Sequence, residues 1–304
     1  MKATRDGFGE GILQIAKNKK IIVLTADLRE SVRVDKFADK YPDQFIECGV
    51  AEQNMAGVAA GLALNGKIAF ITSFASFSPE INLGVIRVSI CYNNVDVKIC
   101  STHAGLETGE DGATHQALED IALMRTLPNM KVIVPCDSEE ARKATIAIAK
   151  EKGPFYLRLG RAKQPEIKQD KFEIGKANVL RKGKDCTIIA CGVMVQKALD
   201  AADELKKRKI NCRVLNMHTI KPLDEKAVLK AAKETKGIVT AEEHQVAGGL
   251  GSAVAEFLVE KYPVPIRMIG VRDKFGQSGT PEQLFEKYKL TSKEIIKKVR
   301  ELVK

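Results

Sequence analysis

The chain has no tryptophan, and aromatic residues make up 5% of its 304 positions. Base-stacking platforms need several exposed rings, so nucleic acid is not an expected partner. Histidine occurs only four times, none at ligand spacing from a cysteine, and no Cys-x-x-Cys pair occurs. The signature of a structural zinc site is therefore missing. No apolar run reaches the roughly 18 residues of a membrane-spanning helix. The opening residues, Met-Lys-Ala-Thr-Arg-Asp, lack the apolar stretch of a secretory leader. No low-complexity tract is present, nor any repeat with a period of roughly 20–50 residues. No membrane is expected as a partner.

Seven cysteines are present, an odd number, several of them in strand-like runs. Buried free thiols in a reducing compartment account for them, so the expected location is cytoplasmic. The net charge is +10, unevenly spread. Residues 1–165 hold 21 Lys plus Arg against 20 Asp plus Glu, and residues 166–304 hold 28 against 19. The surplus suits an acidic partner or anionic ligands. The basic run 206–209 follows a helical segment and complements its carboxyl-end dipole, so it reads as a solvated helix end.

The length suggests about two domains. Near-continuous apolar strands at 21–24, 68–71, 95–99, 132–134 and 156–159 alternate with helical patterns at 7–17, 51–64, 79–92, 117–126 and 138–151. This predicts a mainly parallel sheet with helices on both faces over residues 1–165. A linker is expected over 166–175. A second, smaller α/β unit follows over 176–304, with strands at 186–191, 211–215, 237–240 and 266–269. Its helices are expected at 193–208, 224–235, 249–261 and 281–303, the last broken near 290. Open parallel sheets bind ligands outside the carboxyl ends of their strands. Asp27, Ser73, His103 and Arg161 each follow such a strand.

One stretch organises the first unit: Gly49-Val50-Ala51-Glu52-Gln53-Asn54-Met55, entering a helix rich in alanine and glycine. Ala51, Met55, Val58, Ala59 and Leu62 recur at helical spacing. Its two interior glycines cost about 1 kcal/mol each against alanine, which implies close packing in compensation. Read alone, Glu52 is an acid favoured by the dipole at a helix start. A second stretch, Gly109-Glu110-Asp111-Gly112-Ala113-Thr114-His115-Gln116, is glycine-rich and acidic.

Together the two stretches resemble the C-terminal half of transketolase, the thiamine-diphosphate enzyme. The resemblance is strong from Lys2 to Arg161 and looser to the end. It implies that Glu52 is the catalytic acid that activates the cofactor, and that Phe74 and Phe77 line the slot for its pyrimidine. Asp27 would lie near the thiazolium. His103 and His115 would move protons and contact substrate, and Asp111 would recognise a sugar hydroxyl. Arg5, Ser31, His103 and Arg161 would clamp a sugar phosphate; arginine's planar fork suits phosphate oxygens. The chain departs from the family at Glu80, where an aromatic residue is common, and across 78–84.

The family's magnesium and diphosphate signature, Gly-Asp-Gly followed by Asn, does not occur. The resemblance thus implies a split enzyme, in which a separate N-terminal subunit supplies the magnesium ligands and this chain supplies none. It implies an α2β2 assembly acting on sugar phosphates in the pentose phosphate pathway. Three alternatives stay open: half of a deoxyxylulose-phosphate-synthase-like enzyme, a 2-oxo-acid dehydrogenase β-type subunit, or a non-catalytic partner with the same fold. In the second unit, Thr240-Ala241-Glu242-Glu243-His244 and Gly248-Gly249-Leu250-Gly251 invite a reading as a site. A lone glycine-rich turn is a weak signal, and no catalytic residue is expected there.

Overall fold

A computed structural model describes every residue except Asp170. The first half runs β1 (Lys2–Ala3), α1 (Thr4–Ile15), β2 (Ile21–Thr25), α2 (Asp35–Lys40), β3 (Phe45–Glu47), α3 (Glu52–Leu64), β4 (Ile68–Thr72), α4 (Leu83–Val85), β5 (Val97–Ser101), α5 (Asp120–Thr126), β6 (Lys131–Ile133), α6 (Ser138–Ile148), β7 (Phe155–Arg158) and β8 (Lys163–Gln164). The second half runs β9 (Asn178–Arg181), β10 (Cys186–Ala190), α7 (Met194–Lys207), β11 (Cys212–Asn216), β12 (Thr219–Lys221), α8 (Glu225–Glu234), β13 (Ile238–Gln245), α9 (Leu250–Lys261), β14 (Ile266–Val271), α10 (Pro281–Lys287) and α11 (Ser292–Val303).

Besides a two-stranded antiparallel pair of β1 with β8, two large sheets result, each mainly parallel and flanked by helices. The larger has the order β12-β6-β7-β5-β4-β2-β3, and the smaller β14-β13-β10-β11-β9. Their central strands are buried from end to end, as in β2, β5 and β10, because helices cover both faces. Helix starts are fixed by side chains. Asp137 Oδ1 accepts from the Glu140 amide at 2.8 Å to open α6, and Asp224 Oδ1 caps α8 at 3.0 Å. Thr280 and Gln283 bond reciprocally across the first turn of α10, with Pro281 inside it. Each such cap contributes about 1 kcal/mol. Helices α1 and α6 touch because α1 carries glycine at the contact. A Cβ on Gly7 would lie 1.9 Å from the Ser138 carbonyl oxygen, and one on Gly11 2.8 Å from Thr145 Cβ.

Four features differ from the sequence-based expectation. The helix expected over 79–92 begins only at Leu83 and continues as a π-helical turn over Ile86–Cys91. Pro79 has no amide to give, and buried Asn82 holds the chain back by donating to Ser78 Oγ and to the Glu52 carbonyl, each at 3.1 Å. Strand β3 lies where a loop was expected; three half-exposed residues are too few for alternation to register. Strand β12 comes from the second half yet pairs antiparallel with β6 of the larger sheet, so the sheet crosses the expected boundary. Strand β9 is an antiparallel edge on the smaller sheet. The expected linker, 166–175, includes Asp170, which lies outside the described residues. Within it Ile167 is buried and its amide donates to Asp137 Oδ2 at 2.7 Å.

All seven cysteines are free and all but Cys48 are buried. Among the described residues no helix is long and apolar enough to cross a membrane.

Candidate active site

The order β7-β5-β4-β2-β3 is parallel throughout, so five strand ends share one edge. Following the strands in that order, this edge receives Arg161, His103, Ser73 with Phe74, Asp27, and the loop into α3 that carries Glu52. The edge is where open α/β sheets hold ligands.

Glu52 is the first residue of α3 and is 8% exposed. It makes no helix-capping bond. Its Oε1 accepts from Ser73 Oγ at 3.0 Å, and its Oε2 takes no hydrogen bond among the described residues. In α3, Met55, Ala56, Ala59 and Ala60 are buried, while Val58 and Leu62 are half-buried. Gly57 and Gly61 are exposed, with nothing within 4 Å of where a Cβ would stand. Among the described residues no segment accounts for the missing bulk on that face.

Phe74 follows Ser73 directly and stacks on Phe77, with centroids 5.7 Å apart. The His103 ring lies 3.7 Å from Phe74, and the His115 ring meets Phe77 edge-on at 5.4 Å. His103 Nε2 is 3.0 Å from Arg5 Nη1. A guanidinium only donates, so Nε2 is the acceptor and the proton sits on Nδ1, which bonds to Thr102 Oγ1 at 2.8 Å. Burial, then the cations of Arg5 and Arg161, push His103 down to about 3. The imidazole is therefore neutral at physiological pH. Arg5 Nη1 also donates to the Ser31 main-chain carbonyl at 3.0 Å, while its Nε is buried and unpartnered among the described residues. Ser31 thus enters through its backbone.

Arg161 Nη1 donates to the Thr108 carbonyl at 2.9 Å and to Asp111 Oδ2 at 3.2 Å. His115 Nδ1 bonds to Thr114 Oγ1 at 2.9 Å. Asp27 is exposed at φ 60°, and its amide donates to Glu47 Oε1 at 2.8 Å; the Gly49 amide meets the same oxygen at 3.0 Å. Glu47 therefore ties the Asp27 turn to the loop before Glu52. Among the described residues, no three His, Cys, Asp or Glu side chains converge as metal ligands do.

Several residues missed in the sequence support this edge from behind. Arg158, at the end of β7, donates to Asp120 Oδ2 at 2.8 Å and to the Glu243 carbonyl at 2.9 Å. Tyr156 donates to the same Asp120 oxygen at 2.6 Å. Glu243 Oε1 accepts from the Glu107 amide at 2.7 Å, so the second domain grips the base of the acidic loop. Glu107 is buried, and burial with the Glu243 carboxylate beside it pushes its carboxyl well up. Only glycine fits next to it, since a Cβ on Gly160 would lie 1.1 Å from Glu107 Oε1. Burial and the Asp120 carboxylate push Glu80 up to about 8. Glu80 Oε1 is buried and has no hydrogen-bond partner among the described residues. From the second half, the Gln277 carbonyl accepts from Gln116 Nε2 at 3.0 Å.

The glycine-rich turn before α9 is filled from within. Glu242 accepts from the Leu250 and Gly251 amides at 2.7 and 2.8 Å, occupying the helix start that an external anion would need.

Fold and site together describe a two-domain α/β protein with an acid, paired rings and arginines on the carboxyl edge of its first sheet. The chain belongs to the transketolase family: the transketolase pyrimidine-binding domain matches residues 1–166, and the transketolase C-terminal domain matches 175–295. It is 44% identical, over 98% of its length and 94% of the relative's, to the 6-deoxy-6-sulfo-D-fructose transketolase subunit of Clostridium sp. (strain MSTE9). It is 42% identical, over 100% and 98%, to an apulose-4-phosphate transketolase subunit of Phocaeicola vulgatus. Human transketolase is 36% identical over 99% of this chain and 49% of its own. A split-gene transketolase solved as an inactive β4 tetramer superposes with TM-score 0.93 at 46% identity, covering 100% of this chain and 99% of that one.

Proposed function

We propose that this chain is the C-terminal subunit of a thiamine-diphosphate-dependent transketolase that moves a two-carbon ketol unit between sugar phosphates. The observation that carries the reading is the bond from Ser73 to Glu52. It fixes a desolvated carboxyl one residue away from the stacked rings of Phe74 and Phe77, the combination an aminopyrimidine needs. The residues present therefore fit the cofactor's pyrimidine end, with Asp27 toward the thiazolium. Thiamine diphosphate, when bound, supplies the nucleophilic carbon that cleaves a ketose.

Glu52 would present its unpartnered Oε2 to the pyrimidine ring. His103, neutral and ringed by arginines, accepts hydrogen bonds poorly at Nε2 while Arg5 occupies it; an arriving phosphate draws Arg5 away and frees that nitrogen for proton transfer. Arg161 and Asp111, which pair with each other, would turn to phosphate and sugar hydroxyl respectively. His115 stands beside Phe77 on the substrate side. Diphosphate and magnesium are held by a separate N-terminal subunit in an α2β2 assembly. The face of α3 with exposed Gly57 and Gly61 is the side that meets it.

The test mixes the chain with its N-terminal partner, magnesium and thiamine diphosphate, and follows aldose-phosphate release from xylulose 5-phosphate and ribose 5-phosphate. Activity is expected only in the mixture, and full turnover by the chain alone sinks the reading. The names of the relatives favour a second donor class, so 6-deoxy-6-sulfofructose and apulose 4-phosphate are run beside xylulose 5-phosphate. Labelled carbon dioxide released from pyruvate would assign the chain to a decarboxylating enzyme instead.

A further inference from the structure

Basic residues of the second half crowd around the last two helices. A cleft of about 450 Å³ opens beside the carboxyl end of edge strand β14, walled by the end of α10 and the start of α11. Six cations border it: Arg272, Lys274, Lys287, Lys289, Lys297 and Lys298. Glu294 is the one carboxylate on its lining and meets Lys297 at 3.6 Å, while Lys298 pairs most closely with Glu301 at 3.1 Å. Among the described residues the other four cations meet no carboxylate within ion-pair distance. Arg272 donates to the Met268 carbonyl at 2.9 Å and Lys287 to the Gln277 side chain. Lys274 and Lys289 Nζ have no hydrogen-bond partner among the described residues.

The composition of the lining argues against a merely solvated face. Gly270, Val271 and the half-buried Tyr288 give the cleft an apolar wall among the cations. Unpaired cations around a concavity focus their field on its interior, and a single phosphate would leave most of that charge uncompensated.

We propose that this cleft binds a compound carrying two or more phosphate groups, at a site separate from the candidate active site. Pyrophosphate, a nucleoside polyphosphate and a sugar bisphosphate share the required chemistry. The site also adjoins the acidic loop: Lys287 bonds to the side chain of Gln277, whose carbonyl holds Gln116, and Gln116 Nε2 donates to the Gly109 carbonyl at 2.9 Å. An anion that takes Lys287 withdraws a partner from Gln277 and so bears on the loop that carries Asp111 and His115.

The test is calorimetric titration of the full chain with pyrophosphate at about 0.15 M salt, where diffuse surface attraction is screened beyond about 8 Å. Saturable binding is expected at a site that survives Arg161→Gln, which removes only the phosphate clamp of the candidate active site. Lys274→Gln with Lys289→Gln should weaken it by about tenfold or more, a loss on the scale of two charged contacts. Lys226→Gln with Lys230→Gln, at exposed positions of α8, which packs on α9 and does not line the cleft, should leave it within about twofold, as should Arg161→Gln in the candidate active site. Both lysine pairs are exposed, and thermal melts confirm that the variants fold. Titration with a nucleoside triphosphate and a sugar bisphosphate identifies the source, the tighter ligand naming it. Absence of saturable heat, equal weakening by the remote pair, loss in Arg161→Gln, or ribose 5-phosphate binding as tightly as pyrophosphate would each overturn the proposal.

Discussion

Ser73 Oγ donates to Glu52 Oε1 at 3.0 Å, joining the end of β4 to the first turn of α3 through two buried side chains. The bond leaves one carboxyl oxygen of Glu52 uncommitted beside Phe74. Glu52→Gln keeps an acceptor for Ser73 and removes the ionisable group. With the partner subunit and cofactor, turnover should fall by about 10²–10⁴-fold, the range of general acid–base catalysis. The melting temperature should stay within about 2 °C, and thiamine diphosphate should still bind when followed by fluorescence. Retained turnover would remove Glu52 from the chemistry.

Arg161 and Asp111 neutralise each other across 3.2 Å. Both are exposed enough that the pair contributes little to stability, about 0–1 kcal/mol. Its weight is in recognition. Arg161→Gln should raise KM for the ketose phosphate by about ten- to a hundredfold, consistent with loss of a charge-assisted contact to phosphate, and change kcat much less. Thermal stability should hardly move. A loss confined to kcat would place Arg161 at the reacting bond and contradict a phosphate role.

The parts of this site that could be read from the sequence lie at strand ends. Apolar runs mark where β2, β4, β5 and β7 stop, and the next polar residue falls on the ligand edge. Glu47 was not legible, because β3 is three residues long and half-exposed, so nothing in its pattern announces a strand. Nor was the Arg158–Asp120–Glu243 centre, which joins residues 38 and 85 positions apart that look unexceptional in their own segments. Glu242 and Glu243 are adjacent, yet one fills the start of α9 and the other reaches the base of the acidic loop. Alternation along β13 sends them to opposite faces, a distinction composition cannot make. The expected helix over 79–92 failed because periodicity is blind to the side-chain bonds of Asn82.

His103 gives a pH signature. Its folded value, about 3, lies below the ordinary histidine value of 6.5 because of burial and the neighbouring Arg5 and Arg161. The unfolded chain therefore takes up a proton through pH 6.5 that the folded chain refuses until about pH 3. The neutral ring's contribution to stability is present above pH 6.5 and is lost as pH falls across that window. The slope is at most about 1.4 kcal/mol per pH unit. His218, pushed down to about 4 by burial, acts in the same direction and remains in a His103→Gln variant. Urea midpoints at pH 7, 6, 5 and 4 should fall more steeply for wild type than for His103→Gln. Parallel curves would show that His103 is protonated in the folded chain.

Arg158 is buried with two carboxylates from different parts of the fold, Asp120 at 2.8 Å and Glu243 at 3.5 Å. Removing the cation strands both anions away from water, while removing all three charges strands none. Arg158→Met should therefore lower stability by about 3–5 kcal/mol. Adding Asp120→Asn and Glu243→Gln to it should recover much of the loss, although each amide replaces an acceptor that served a donor. Because Glu243 also holds the Glu107 amide, the single variant should loosen the acidic loop as well as the domain contact. Hydrogen exchange in residues 106–116 would then rise along with the drop in the urea midpoint. A midpoint shift without faster exchange there would mean that the loop is held from its other side, by Gln116 and the segment around Gln277, and that Glu243 serves the domain contact alone.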